Sequence, residues 1–373
     1  MWFSPATIVG PRSGLDDEDL EWREVSNLHL RLGDADLRGL LAEPDLLPEH
    51  RRVLEGYLAR EGPYWPLTQQ SDWGVQGPSE VTAPAVFATY GLGILAYAAL
   101  CGQEYGLLSG GGVNALAPGS GVVTVSAQGF DSIVPDAFAI AVLGMLAPEL
   151  GRYNHLTLNR FLLLEGSKFS TSRRHAIWTR EVTQAMDSDV IRHYLARVSP
   201  DGAETDFRVD ELVALANRHL VQGLDRRALA GWELLDGAPS RMPLGRPSGA
   251  WVARLEALLE RQRTALDPRR LRLAEVVGAL DQWPDVSTEE DGAGPADAAT
   301  AAYWWLKGAA VLAWSVMPRW ALATWRGLGH EGDPSLPAFW ETPPLAVTRA
   351  RRRFEPLDVA SVRQLTGVGA AGG

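Results

Sequence analysis

Between residues 168 and 175 the chain reads KFSTSRRH. Four cationic or titratable groups, Lys168, Arg173, Arg174 and His175, flank three hydroxyls, Ser170, Thr171 and Ser172, within eight residues. Hydroxyls and backbone N–H groups bind anionic oxygens, and Lys or Arg neutralises their charge. The set therefore suits an anion, most naturally a polyphosphate. A solvated basic turn is the other reading, and charge alone does not separate the two. An apolar run, Phe161 to Leu164, precedes the loop and stops at Glu165-Gly166, which predicts a buried strand that ends in a cationic loop.

The elements that must position such a loop follow from the hydrophobic pattern. Glu21 to Leu32 alternates apolar and polar residues and reads as a half-buried strand, while 34–43 and 48–61 carry helical spacing. Residues 63–78, with three prolines and two tryptophans, read as a loop. Val122 to Ala127 and Leu156 to Leu164 read as buried strands around an apolar helix, Pro135 to Leu146. Strands alternating with helices predict α/β architecture, with a parallel sheet covered on both faces. Gln128 to Ser132 falls at the C-terminal end of a strand, where open parallel sheets bind ligands. Asp131 there can accept from a ribose hydroxyl or an amine, or cap the next helix.

After the loop the pattern turns helical over Asp189–Leu195, Asp210–Leu229, Trp251–Arg263, Pro268–Leu280 and Ala299–Leu328, with Met317-Pro318 kinking or starting a helix. Asp206 looks like a helix lead-in, 233–250 a loop and 284–298 an acidic connector. The tryptophans from 304 to 325 suit bundle core better than a base-stacking platform. Residues 329–373 form a Pro-, Arg- and Gly-rich tail whose basic cluster, Arg349 and Arg351 to Arg353, is a docking tail or a solvated edge.

Composition bounds the function. The 373 residues are enough for two or three domains, and 46% apolar with 22% charged is ordinary for a globular protein. A net charge of −11 argues against a general nucleic-acid binder while leaving room for a local basic groove. The single cysteine, Cys101, lies in an apolar stretch and is expected to be a small buried hydrophobe; one cysteine excludes a disulfide framework or a cysteine-based zinc site within one chain. The first residues lack a signal-peptide pattern and no stretch makes a good membrane span, so a cytoplasmic protein is expected.

Asn159 to Trp178, NRFLLLEGSKFSTSRRHAIW, resembles the signature loop of class I aminoacyl-tRNA synthetases in the form found in methionyl-tRNA synthetases. Lys168-Phe169-Ser170-Thr171-Ser172 stands where that family writes Lys-Met-Ser-Lys-Ser; Thr171 replaces the second lysine, as a small hydroxyl residue does in one branch. Trp65-Pro66-Leu67-Thr68-Gln69 and Asp72-Trp73-Gly74-Val75, closing on Pro78, resemble the family's exit from its connective peptide, with Gln69 for an arginine. Val86 to Ile94 resembles the amino-acid pocket segment, with Phe87 for a tryptophan and Thr89 for an aspartate.

The resemblance implies a partial class I Rossmann-like parallel sheet followed by an α-helical bundle like the anticodon-binding domain. The segments expected are a lead-in and connective-peptide remnant (1–78), the C-terminal half of the nucleotide-binding domain (79–180), the bundle (181–330) and a tail (331–373). It implies catalytic roles for Lys168, Ser170, Thr171, Ser172 and Arg173, which would hold the pyrophosphate side of a transition state. Gly129, Asp131, Lys168 and His175 would contact the nucleotide, and Phe87, Tyr90 and Gly93 would line the substrate pocket. ATP with Mg2+ is the implied cofactor, and no protein-bound zinc is expected.

The family's other signature, His-x-Gly-His, is not in the chain, and the match begins near Glu21. Either another polypeptide supplies that half, or the N-terminal segment covers the sheet, or the pocket no longer serves ATP. Asn217 and Leu220 match the family bundle, but the base-reading asparagine and arginine become Arg226 and Ala230, which argues against tRNA as a partner. Three functions follow. The chain takes part in amino-acid carboxylate activation for a specialised ligation such as natural-product biosynthesis, where such paralogues pair with a cupin; or it is a non-catalytic binding or regulatory paralogue; or it is half of a split methionine-tRNA ligase.

Overall fold

The computed structural model describes residues 24–42, 46, 48–77, 85–88, 94–135, 147, 149–151, 153–170, 174–236, 245–286, 295–346 and 353–365. The chain divides into two compact units, Met1–Leu158 and Asn159–Gly373.

In the first unit, β1 (His29–Arg31) pairs antiparallel with β2 (Tyr64–Pro66), and Leu30 faces Trp65. Of the strand expected over 21–32, the described residues 24–32 keep three, His29–Arg31. Helices α1 (Asp34–Leu41) and α2 (Pro48–Glu61) lie where periodicity placed them, and Leu40, Leu54 and Trp65 share one core with Leu32, Ile133 and Leu156. The stretch 63–78 is not a plain loop. β3 (Thr68–Gln70) pairs antiparallel with β4 (Ala85–Phe87), because the buried Thr68 hydroxyl accepts from Leu28 N at 2.9 Å and anchors the turn between β2 and β3.

Helix α3 (Ile94–Leu108) corrects the reading of Cys101, which is exposed. The helix turns Ala98, Gly102 and Gly106 inward. A Cβ on Gly102 would lie 2.2 Å from Asn114 Oδ1, and one on Gly106 would lie 1.9 Å from Val113 O, so the glycine face must pack inward and the cysteine face outward. β5 (Val125–Gly129) and β6 (His155–Asn159) form a two-stranded sheet. The expected helix Pro135–Leu146 lies outside the described residues beyond Pro135.

In the second unit, β7 (Leu162–Leu164) lies between β8 (Ser167–Lys168), antiparallel to it, and β9 (Thr205–Phe207), parallel to it. The single strand expected over 156–164 breaks because Arg160 N leaves the ladder to donate to Pro200 O at 2.8 Å. Thr205–Phe207, expected as a helix lead-in, does run into the helix that starts at Val209, and β7 pairs it as a parallel strand on the way.

Helices follow: α4 (Thr179–Ala185), α5 (Ser188–Arg197), α6 (Val209–Leu215), a π-helical segment (Ala216–Asp225) continuing into α7 (Arg226–Asp236), α8 (Gly249–Ala265), α9 (Leu273–Leu280), α10 (Pro295–Ala313), α11 (Pro318–Gly327) and α12 (Val359–Gln364). The helix expected from 299 to 328 is two. Pro318 starts α11, and the buried Asp189 carboxylate accepts from Trp320 N at 2.7 Å, capping the new start. Trp283, Trp305, Trp320 and Trp325 are fully buried core, which excludes them as a stacking platform. The α/β and all-α parts of the expected fold class are both present.

Two features of this bundle are electrostatic. Asp281 takes the Arg197 guanidinium and His193 Nε2 (2.8 Å), and faces His219 Nδ1 at 3.5 Å. Burial, then Arg197, pushes His193 down to about 3 and His219 to about 4, so both rings are neutral at neutral pH. Elsewhere, burial and then Lys307 push His330 to about 4, and burial pushes Lys307 itself down to about 7. The Lys307 ammonium donates to Glu341 O and lies 5.2–5.5 Å from the rings of Tyr303, Trp304, Trp325 and Phe339. Among the described residues no helix is long and apolar enough to cross a membrane.

Candidate functional site

The cationic loop is a tight hairpin. β7 turns through Glu165 (φ 48°) and Gly166 (φ 79°) into β8, with Leu164 opposite Ser167 and Leu163 opposite Lys168. Two successive left-handed residues make the turn whose twist matches a two-residue hairpin. Gly166 adopts that conformation at no steric cost, whereas Glu165 does so against its side chain.

Beyond β8 the chain closes a second, wider loop. Ser170 N donates to His175 O and His175 N to Ser170 O, both at 2.9 Å. His175 Nε2 lies 2.8 Å from Leu164 O, and with a carbonyl as partner that nitrogen is the donor. Phe169, where the related motif has methionine, is half-buried and packs on the core of the second unit. These anchors leave Lys168 exposed, with Nζ 5.2 Å from the centre of the Phe161 ring. Arg174 is also exposed, at φ 55°. Thr171, Ser172 and Arg173 lie outside the described residues.

The structure thus brings Lys168, Ser170 and His175 into one backbone-closed element. The expected nucleotide and pocket residues Gly129, Asp131, Phe87, Tyr90 and Gly93 belong to the first unit. Gly129 ends β5 with φ −74° and ψ 151°, an extended geometry open to any residue, and Asp131 lies in the 3₁₀ turn Phe130–Ser132. The Asp131 side chain, Tyr90 and Gly93 lie outside the described residues. Phe87 is a half-buried residue of β4, opposite Thr68.

Sequence reading missed two residues that hold the hairpin. Gly166 N donates to Asp206 Oδ1 at 2.9 Å, and Val209 N donates to Glu165 Oε1 at 2.8 Å. The Glu165-Gly166 pair directly after the apolar run Phe161 to Leu164 marks the turn, but not the bond that Glu165 makes with Val209 N. Nothing local marked Asp206, which is 40 residues away. In the bundle, Arg226 is exposed, the Arg227 guanidinium lies 5.8 Å over the Trp305 ring, and both amide atoms of Asn217 bond to the Leu357 backbone at 2.8 Å.

Residues 137–226 match the family model described as tRNA synthetases class I (M). The chain is 27% identical to the methionine–tRNA ligase of Methanopyrus kandleri over 226 residues, which is 60% of this chain and 34% of that protein. It is 38% identical to that of Salinispora arenicola over 78 residues, 20% of this chain and 13% of that protein. The match therefore spans about a third or less of these relatives' length. Among solved structures, Mycobacterium tuberculosis methionyl-tRNA synthetase in its free state superposes with TM-score 0.65 at 20% identity, covering 93% of this chain and 72% of that one. The same enzyme bound by methionyl-adenylate gives 0.66, with 93% and 71% covered.

Proposed function

We propose that this chain, a methionyl-tRNA-synthetase-like protein, takes part in ATP-dependent activation of an amino-acid carboxylate. The observation that carries the reading is the backbone-closed hairpin, which holds Lys168 exposed beside Ser170. In such a reaction a carboxylate oxygen bonds to the α-phosphorus of ATP, the bond to pyrophosphate breaks, and negative charge grows on the leaving oxygens. Lys168, Ser170, Thr171, Ser172 and Arg173 would stabilise that charge from preorganised positions. Gly129, Asp131 and His175 would contact the nucleotide, Phe87, Tyr90 and Gly93 the amino acid, and Mg2+ would accompany the phosphates. The related enzyme bound by methionyl-adenylate supports a nucleotide at this fold.

The finer reading is a specialised small-molecule ligation in the cytoplasm, such as natural-product biosynthesis, with a cupin or a chain that completes the catalytic half as partner. Phe87 and Thr89 in place of the family's tryptophan and aspartate support a changed amino-acid pocket. The replacement of both base readers, by Arg226 and Ala230, speaks against tRNA. Thr171 in place of lysine favours the second reading, a binding or regulatory paralogue without chemistry. Half of a split methionine-tRNA ligase is the third.

Amino-acid-dependent exchange of labelled pyrophosphate into ATP by the chain separates them. Exchange with an amino acid other than methionine is expected. Silence with every amino acid counts against activation by this chain, and exchange that needs methionine and a second chain supports the split ligase.

A further inference from the structure

We propose that Glu165 and Asp206 are positioning residues that set the Lys168 hairpin against the start of α6; the inference rests on the reading of that hairpin as the anion-binding element. The two make a reciprocal clamp. A side chain of the hairpin turn reaches the helix backbone, since Glu165 Oε1 accepts from Val209 N at 2.8 Å. A side chain of β9 reaches the hairpin backbone, since Asp206 Oδ1 accepts from Gly166 N at 2.9 Å. The ladder between them is completed by Glu165 N donating to Phe207 O at 3.0 Å.

Local geometry explains why these residue types are needed. Arg208 precedes α6 at the capping position and makes no capping side-chain bond, so Val209 N requires an acceptor from elsewhere. Glu165 supplies it from a left-handed backbone conformation that a glycine would adopt with less strain. A glycine there would ease the turn and lose the cap. Asp206 divides its oxygens: Oδ2 faces the Arg208 guanidinium at 3.5 Å, which leaves Oδ1 for Gly166.

Arg208 is itself fixed from behind. Its N donates to Tyr194 Oη at 3.0 Å, and Tyr194 OH in turn reaches Arg208 O and Glu211 Oε2. At the other end of the hairpin, His175 Nε2 donates to Leu164 O, the residue before Glu165. Lys168 is three residues past Glu165, so a turn that loses either bond is free to change the direction of the ammonium.

Hydrogen exchange on the intact chain, read by peptide mass, tests this beside ATP affinity by calorimetry. In Asp206→Ala and in Glu165→Ala the amides of 167–170 and 175 should exchange at least about tenfold faster, with α8 and α9 unchanged. Asp206→Asn and Glu165→Gln keep an acceptor oxygen and should stay within about threefold of the wild type. Asp206→Ala should weaken ATP about fivefold or more, and have no further effect in a Lys168→Ala background. Unchanged hairpin exchange in the alanine variants overturns the proposal. Exchange that rises equally across the bundle, or an ATP effect that persists without Lys168, assigns the residues a general structural role and also overturns it. Faster hairpin exchange in a chain whose wild type binds no ATP supports the clamp and instead sinks the activation reading.

Discussion

Taking the protein from pH 7 to pH 5 should remove on the order of 5 kcal/mol of folding stability, comparable to the whole margin of many domains. The effect comes from three histidines that folding keeps neutral. His193 is held at about 3, and His219 and His330 at about 4, each chiefly by burial. In the unfolded chain each titrates near 6.5. Between those values the unfolded state binds protons that the folded state refuses. The stability is therefore fully present above pH 6.5 and falls by about 1.4 kcal/mol per unit for each ring as the pH drops below it. Urea midpoints across this range check the slope, and His193→Gln, neutral at every pH, should remove about a third of it. A midpoint that does not move between pH 7 and pH 5 contradicts the assignment of rings that folding keeps neutral.

Asp281→Ala should cost about 3–5 kcal/mol, the range for removing one partner of a buried ion pair. Asp281 is 8% exposed and is the acceptor for both Arg197 and His193. Its loss takes the close anion from a guanidinium that is 28% exposed and leaves the buried His193 N–H without an acceptor, and His193 cannot turn to water without opening the junction of α5 and α9. Asp281→Asn keeps oxygen for one donor and should fall between. Asp281→Leu combined with Arg197→Met should recover part of the loss, because no uncompensated charge remains. Denaturant titration of the four proteins checks the order. A loss under about 1 kcal/mol in Asp281→Ala marks the cluster as solvated rather than buried.

The sequence disclosed what is local and periodic. Helices such as α2 and α5, the strand before Lys168 and the cationic composition of 168–175 follow from residues within a turn or two of one another. The failures are tertiary. The stretch 63–78 held strands because Thr68 found Leu28 N 40 residues away, and pairing with β7 added a strand to the expected helix lead-in at Thr205–Phe207. Cys101 was misplaced because apolar character pointed inward, whereas the close approach of Asn114 and Val113 selects the glycine face of α3. Lys168, Ser170 and His175 could be named from their types. Glu165 and Asp206 could not, because each is a side chain bonded to a distant backbone N–H and leaves no periodicity behind. The Asp281 cluster joins residues 62 to 88 positions from Asp281 and was invisible for the same reason.

Calorimetric titration of ATP into the intact chain and into Lys168→Ala, at one fixed salt concentration, tests the central assignment most directly. A hairpin that holds the phosphates predicts at least about tenfold weaker binding without the ammonium, equivalent to about 1.4 kcal/mol. Equal dissociation constants for the two proteins would contradict it and return Lys168 to Arg174 to the status of a solvated basic turn.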